Sequence, residues 1–236
     1  MSEQLGAERA DRPALTRGRI VDAAVRLVDE QGLAALSMRH LGAELGVEAM
    51  ALYRHINGRE DLLEAMVDAL TSRLHLTDDW DLGPEDGWQA YLQKLAHTVR
   101  ELAYDHPELF PLLVTRHPAA PWLRPPLRSL EVVEDFLTAL TGRGFSDDQA
   151  VAAYRTFSSF LIGQLLLAVA QRGSIAMAGE EVLDEGGASS PNTTTSLDDF
   201  PLVKRLEGKL SEDHADEEFE RTLEDLLERI DAEVSR

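Results

Sequence analysis

The stretch that most restricts what this chain can fold into is residues 37–59, SMRHLGAELGVEAMALYRHINGR. It reads as two short helices about a tight glycine turn. Ser37 is suited to cap the first, because its hydroxyl can accept from a backbone N–H that has no partner inside the helix. Leu41 and Leu45 stand at i, i+4 and share a face. Gly46 can take the left-handed conformation that ends a helix, with Val47 folding back onto it. The second helix is expected over about Glu48 to His55, with Leu52, flanked by Val47 and Ile56, turned to the same core. Ala49, Met50, Ala51, Tyr53, Arg54 and His55 then face outward. A capped helix, a glycine turn and a second helix presenting small, aromatic and basic residues form the pattern of a helix-turn-helix, whose second helix enters the DNA major groove. A plain αα-hairpin inside a bundle fits the same residues.

Charge is divided along the chain. The net charge is −20 over 236 residues, which argues against a general nucleic-acid coat. Residues 12–59, however, carry seven arginines against five acids, a net of +2, while residues 60–236 hold −20. A weakly basic head on an acidic body suits a protein that meets DNA with one end. There is no cysteine, which excludes disulfides and thiolate chemistry and fits a reducing cytoplasm. The N-terminus lacks an apolar signal segment. The longest apolar stretch, Leu161 to Ala170, is interrupted by Gly163 and Gln164 and is short for a bilayer, so no membrane partner is expected.

The rest of the chain reads as helices. Residues 1–14 suggest a flexible tail, whose Arg9 and Arg12, with Arg17 just beyond, could reach phosphates. A first helix is expected from about Thr16 to Gln31, stopped by Gly32, with Leu33 packing back on Val28 in a Schellman ending. The head would cover residues 15–60, with a core of Ile20, Leu27, Leu36, Leu41, Leu45, Leu52 and Ile56. The remainder, 61–236, would be one helical body. A fourth helix starts near Arg59 with Leu62, Leu63, Met66, Leu70 and Leu74 inward, and a fifth spans about Trp88 to Tyr104. Prolines break residues 107–126 into short pieces. A seventh helix runs from Leu127 to Thr141 with Leu130, Val133, Leu137 and Leu140 inward. Ser146–Gln149 is a capping box that opens an eighth helix reaching about Arg172. That helix is apolar on more than one face, and such a helix must be covered on both sides. Residues 178–199 are rich in Gly, Ser, Thr and acid and read as a mobile loop. A short helix near Pro201 to Leu210 and a last one over His214 to Val234 close the chain. No strand pattern and no repeat is present.

The run GLAALSMRHLGAELGVEAMALYRHINGREDLLEAM resembles the DNA-binding domain of the tetracycline repressor (TetR) family. Trp88-Gln89, Gly144-Phe145-Ser146, Gly163 and the Thr-rich loop extend the resemblance more weakly. It implies an all-α homodimer: a three-helix helix-turn-helix domain, then a helical-bundle domain for ligand binding and dimerisation, with the eighth and last helices forming a four-helix bundle with the partner. On that basis Arg39 matches a position that reads guanine, a role suited to its bidentate fork. Tyr53, His55 and Arg59 match phosphate contacts, Ser37 lies at a helix start near the backbone, and Glu48, Ala49, Met50, Ala51 and Arg54 fall on the recognition helix. Ala49, Met50 and Ala51 depart from the tetracycline repressor itself and imply a different operator. The expected dimer interface comprises Leu161, Leu165, Leu166 and Val169 with Phe219, Leu223, Leu226, Leu227 and Ile230.

The resemblance places His75 at a ligand-contacting histidine. It places Leu95, Val99, Leu113 and Leu167 where that repressor uses polar, aromatic and metal-binding groups. A Mg²⁺ chelate needs oxygen or imidazole donors, which these cannot supply. Candidate lining residues for a different cavity are His75, Trp88, His97, Tyr104, Phe110, Trp122, Tyr154, Phe157 and Gln164. His97, His106 and His117 lack metal spacing, and neither metal nor cofactor is expected. The function expected is a ligand-responsive transcriptional regulator, a repressor. It would bind a palindromic double-stranded operator as a homodimer and be released by a small, largely apolar or aromatic inducer. Two other readings stay open: a helical small-molecule-binding protein or enzyme without DNA binding, and an activator without a ligand. No P-loop, dinucleotide fingerprint or Ser/His/Asp cluster supports an enzyme.

Overall fold

The computed structural model describes residues 14–72, 74, 87–116, 120, 122–125, 127–171 and 197–234. The expected tail, His75 and nearly all of the loop expected at 178–199 lie outside these. The described residues form helices joined by turns, with no strand among them.

In the N-terminal part α1 (Arg17–Gln31), α2 (Met38–Leu45) and α3 (Ala49–Leu52) are followed by α4 (Arg59–Ser72). Thr16 caps α1, accepting from the Arg19 N–H at 3.3 Å, and Ser37 caps α2, accepting from the His40 N–H at 3.1 Å. Gly46 ends α2 at φ 65°. The Val47 N–H returns to the Gly42 carbonyl at 2.9 Å, the Schellman closure. The second helix of the motif is shorter than expected: after Leu52 the chain continues as turn through His55. Ile20, Leu27, Leu36, Leu41, Leu52 and Ile56 are buried, whereas Leu45 is only half-buried at the end of its helix. The end of α1 also differs from expectation. Leu33 does not close a Schellman ending; its N–H donates to the Glu108 carboxylate, from outside the head.

Leu62, Leu63, Met66, Leu70 and Leu74 join the head's apolar cluster, together with Leu102 and Leu109. Helix α4 therefore packs into the head while running toward the body. The body comprises α5 (Gly87–Asp105), α6 (Phe110–Thr115), α7 (Leu130–Thr141), α8 (Asp147–Gln171), α9 (Pro201–Leu210) and α10 (Ala215–Val234). Ser129 caps α7, whose first residue, Leu130, lies three beyond the expected start and is exposed rather than inward. The capping box of α8 is formed reciprocally: the Gln149 N–H donates to the Ser146 hydroxyl at 3.3 Å, and the Ser146 N–H to Gln149 Oε1 at 2.9 Å.

Helix α8 packs on α5, α6, α7 and α10. By length and hydropathy alone its 25 residues could cross a membrane. Tyr154, Phe157, Leu161, Leu165 and Val169 are nonetheless buried in the body's core. By contrast α9 buries no residue and exposes Leu202, Val203 and Leu210.

Candidate DNA-binding head and ligand cavity

The outer face of the helix-turn-helix carries Arg39 on α2 and Met50, Tyr53 and Arg54 on and just after α3, all exposed. Met50 is 72% exposed. The side chains of Arg39 and Arg54 form no hydrogen bond or ion pair among the described residues, so both guanidinium groups are available to a partner. Ala49, Ala51 and His55 are half-buried rather than open, since α2 crosses close to α3. Glu48 precedes α3 and is exposed, with no side-chain cap bond. Arg59 stands at the foot of α4, its Nε donating to the Leu36 carbonyl at 3.4 Å.

Two features of this head were missed in the sequence. Gly42 is buried, and a Cβ there would lie 2.9 Å from the Val47 carbonyl oxygen and 3.2 Å from the Ala49 nitrogen. The close crossing of α2 and α3 therefore needs a glycine, a signal present at i−4 from the turn glycine. Arg17 is not a free phosphate contact. Its guanidinium grips Asp61 at 2.7 Å and donates to the His55 carbonyl at 3.0 Å. It thus pins the start of α1 and the end of the recognition segment to α4. Asp61 also accepts from the Asn57 N–H at 2.7 Å. With Arg17 first and Asn57 second, these bonds hold the Asp61 carboxyl down at about 2.

In the body a cavity of about 80 Å³ lies between α4, α5, α6, α7 and α8. Its walls include Leu95 and Val99 of α5, Phe110, Leu113 and Val114 of α6, Phe136 of α7, and Tyr154, Phe157, Ser158, Leu161 and Ile162 of α8. The lining is almost wholly apolar. Arg128 and Ser129, in the turn before α7, close one side. Arg128 contacts Glu64 and Asp68 of α4, each at 2.7 Å. Burial works against its charge, but these two carboxylates outweigh it and hold the guanidinium ionised. Arg116, at the end of α6, pairs with Glu60 and, at 3.3 Å, with Glu64. Two cavity-wall segments are thereby tied to the helix that enters the head. A second tie runs from the α5–α6 turn to α1, where His106 meets Asp29 at 2.9 Å.

Of the candidate ligand residues, Phe110, Tyr154 and Phe157 line this cavity. The Tyr154 hydroxyl donates to the Pro125 carbonyl at 2.9 Å, and burial pushes its pKa up to about 12. The others are placed elsewhere. Trp88 stacks edge-on against Phe145 at 5.2 Å in the body's core. His97 bonds Glu220 of α10 at 3.0 Å. Tyr104 lies under Arg100, which also covers Phe219 at 4.8 Å. Both belong to the α5–α10 seam, where burial raises the Glu220 pKa but His97 and Arg100 bring it down on balance. Gln164 falls off the edge of the stripe of α8 that faces the cavity. Trp122 lies outside the cavity, in a surface groove. Among the described residues no group of three or more metal-ligating side chains is gathered.

The expected dimer residues need correction. Leu161, Leu165, Val169, Phe219, Leu223, Leu227 and Ile230 are buried within one chain, because α8 and α10 cover each other's apolar stripes and pack on α5. Only Leu166 and Leu226 stay half-exposed. Outward on α8 are instead Gly163 and Leu167, the latter 64% exposed.

A capped helix-turn-helix head joined by one helix to a helical body with an apolar cavity defines the class of a two-part helical protein with a DNA-binding type of head. Residues 20–66 match the family described as bacterial regulatory proteins of the tetR family, and residues 82–234 match the tetracyclin repressor-like C-terminal domain. The chain belongs to the TetR family. It is 34% identical over 155 residues to the HTH-type transcriptional repressor DrrR1 of Streptomyces coeruleorubidus, covering 66% of this chain and 54% of that one. To the class D tetracycline repressor of Escherichia coli it is 31% identical over 155 residues, 64% of this chain and 66% of the relative. The chain thus spans between about half and two thirds of these relatives' own length. In fold it is similar to Streptomyces coelicolor ActR solved in complex with actinorhodin. The TM-score is 0.62 at 25% identity, covering 92% of this chain and 96% of that one.

Proposed function

We propose that this chain is a ligand-responsive transcriptional repressor that acts in the cytoplasm. In this reading a homodimer binds a palindromic operator and a small, largely apolar or aromatic molecule releases it. The observation that carries the reading is the wiring of the head to the cavity. An outward face with unpaired Arg39 and Arg54 side chains sits at one end of α4, and Arg128 of the cavity wall and Arg116, just after the wall helix α6, hold the acids of the same helix. Family membership favours this over a helical enzyme. The relatives point the same way: DrrR1 is a transcriptional repressor, and ActR is a TetR family protein solved in complex with actinorhodin.

The ligand works by preferring the dimer geometry in which the two heads no longer match the operator spacing. Its effect is limited to its differential affinity for the two geometries, typically about 1–3 kcal/mol. The cavity is small beside the roughly 300–1,000 Å³ of most ligand pockets, so a ligand must spread its walls. Moving α6 or the Arg128 turn draws on α4 directly. Leu95, Val99 and Leu113 line the cavity and offer no donor to a metal chelate.

The test is operator retention. Duplexes from the protein's own promoter region are screened for a palindromic site, and two-fold symmetry sets half-sites about one DNA turn or more apart. Arg39→Ala should cost roughly 1–3 kcal/mol and relax preference at one base pair. Tyr53→Phe and Arg59→Ala should weaken all sequences alike. Equal loss on cognate and scrambled duplexes for Arg39→Ala would assign it to phosphate instead. Release by micromolar tetracycline that depends on Mg²⁺ would refute the apolar-inducer reading.

A further inference from the structure

A groove of about 440 Å³ lies on the outside of the body, between the turn before α7, α7 itself and the first half of α8. Three large apolar side chains that would ordinarily avoid water are gathered in it: Trp122, 74% exposed, with Leu130 and Val151, both exposed. An apolar cluster of this kind, rimmed by charge, marks a binding face rather than a chance distribution. On the rim stand Arg124, Arg155 and a single acid, Glu134. The Arg155 side chain forms no ion pair or hydrogen bond among the described residues. Tyr154 lines both this groove and the inner cavity, so its ring is the partition between them. That partition stands edge-on to Phe136 at 5.7 Å and is fastened to the Pro125 backbone by one hydrogen bond.

We infer that the groove is the outer half of the ligand site and takes a planar aromatic molecule with an anionic group. The rings lie against Trp122, Leu130 and Val151, the anion meets Arg155, and the apolar end reaches past Tyr154 toward the cavity. This rests on the ligand-responsive reading above. Three observations favour such a ligand. The groove adjoins a cavity too small to enclose more than part of a ligand. Its floor offers an indole face for stacking. Its rim carries two guanidinium groups, Arg124 and Arg155, against the one carboxylate of Glu134, in a chain whose net charge of −20 gives no general attraction for anions.

The test uses the full-length protein with anthracene-9-carboxylate and its neutral amide, titrated by calorimetry. The carboxylate should bind about fivefold tighter than the amide, the size expected of one partly exposed ion pair. Arg155→Gln should erase that preference without weakening the amide. Trp122→Ala should weaken both by roughly fivefold to tenfold. Both residues are exposed, so neither variant should disturb folding. An unchanged preference in Arg155→Gln overturns the proposal, as does failure of both compounds to bind. A lower oligomeric mass for Trp122→Ala would assign the groove to a second copy of the chain and overturn it too. Operator release is read in parallel. If an uncharged aromatic releases operator equally from all three proteins, the groove is wrong and the regulatory reading stands. If the groove behaves as stated and no operator is retained, the regulatory reading is what fails.

Discussion

Gly42 and Asp61 each decide something local that larger features depend on. At Gly42 a methyl group would meet backbone on two sides, and backbone cannot swing away as a side chain can. Gly42→Ala should therefore destabilise the head by about 1–3 kcal/mol, even though alanine is the better helix former. The check is chemical denaturation beside Gly18→Ala, a helical glycine with nothing within 4 Å of a built Cβ, which should hold or raise stability. Asp61 sets a pH dependence. Its folded pKa of about 2 lies below its ordinary value of 3.8. The stabilisation is thus complete above about pH 4 and is lost as pH falls from there through about 2. The Arg17 side chain is 48% exposed, so screening limits the contribution to about 0.5–1 kcal/mol. Asp61→Asn should flatten that part of the acid limb of a Tm-against-pH curve and leave the limb above pH 5 unchanged.

Among the elements, α4 is the connector, and Glu64 holds Arg128 of the cavity wall and Arg116 at the end of the wall helix α6. Glu64→Gln should leave operator affinity within about threefold, because Glu64 lies off the DNA-facing side. It should blunt ligand-induced release, since coupling between sites is carried by contacts that differ between two states. Paired titrations of operator binding and of release would show this; an unchanged release curve would remove the clamp from the mechanism. The helix-turn-helix was legible in the sequence because its determinants are local: a serine cap, an i, i+4 leucine pair and a left-handed glycine. The face of α8 was not. A helix apolar all round carries no moment to say which stripe turns inward, and only the docking of α10 assigns Leu165 inward and Leu167 outward. The cavity lining was also only partly legible. Aromatic identity does not distinguish core from cavity: Trp88 and Phe157 look alike in sequence, and a gap between side chains is made by elements far apart in the chain. Leu33 failed for the same reason, since its partner Glu108 arrives from another part of the chain.

Apart from the groove at Trp122 and the recognition face at Met50, uncovered apolar side chains lie on α8, at Leu167, and on the exposed helix α9. A second copy of the chain is the natural cover. Leu167→Arg should give a folded monomer with weakened operator binding, whereas Leu227→Arg, at a buried position, should unfold the body. Sedimentation at micromolar concentration separates the two. An unchanged dimer in Leu167→Arg would move the interface off this face.

The uneven spread of charge has one further result. With Arg17 committed to Asp61, the head offers few free cations, and the acidic body repels the duplex. Each phosphate neutralised releases condensed counterions, and that release supplies most of the affinity for random DNA. A protein that displaces few of them is held weakly by the bulk of a genome. It spends its time in free solution rather than sliding, and finds its site by repeated three-dimensional encounters. Under the proposed repressor function, few copies are then lost to the genome's vast stock of irrelevant sequence, so a small pool would keep an operator filled and empty it quickly when the inducer appears.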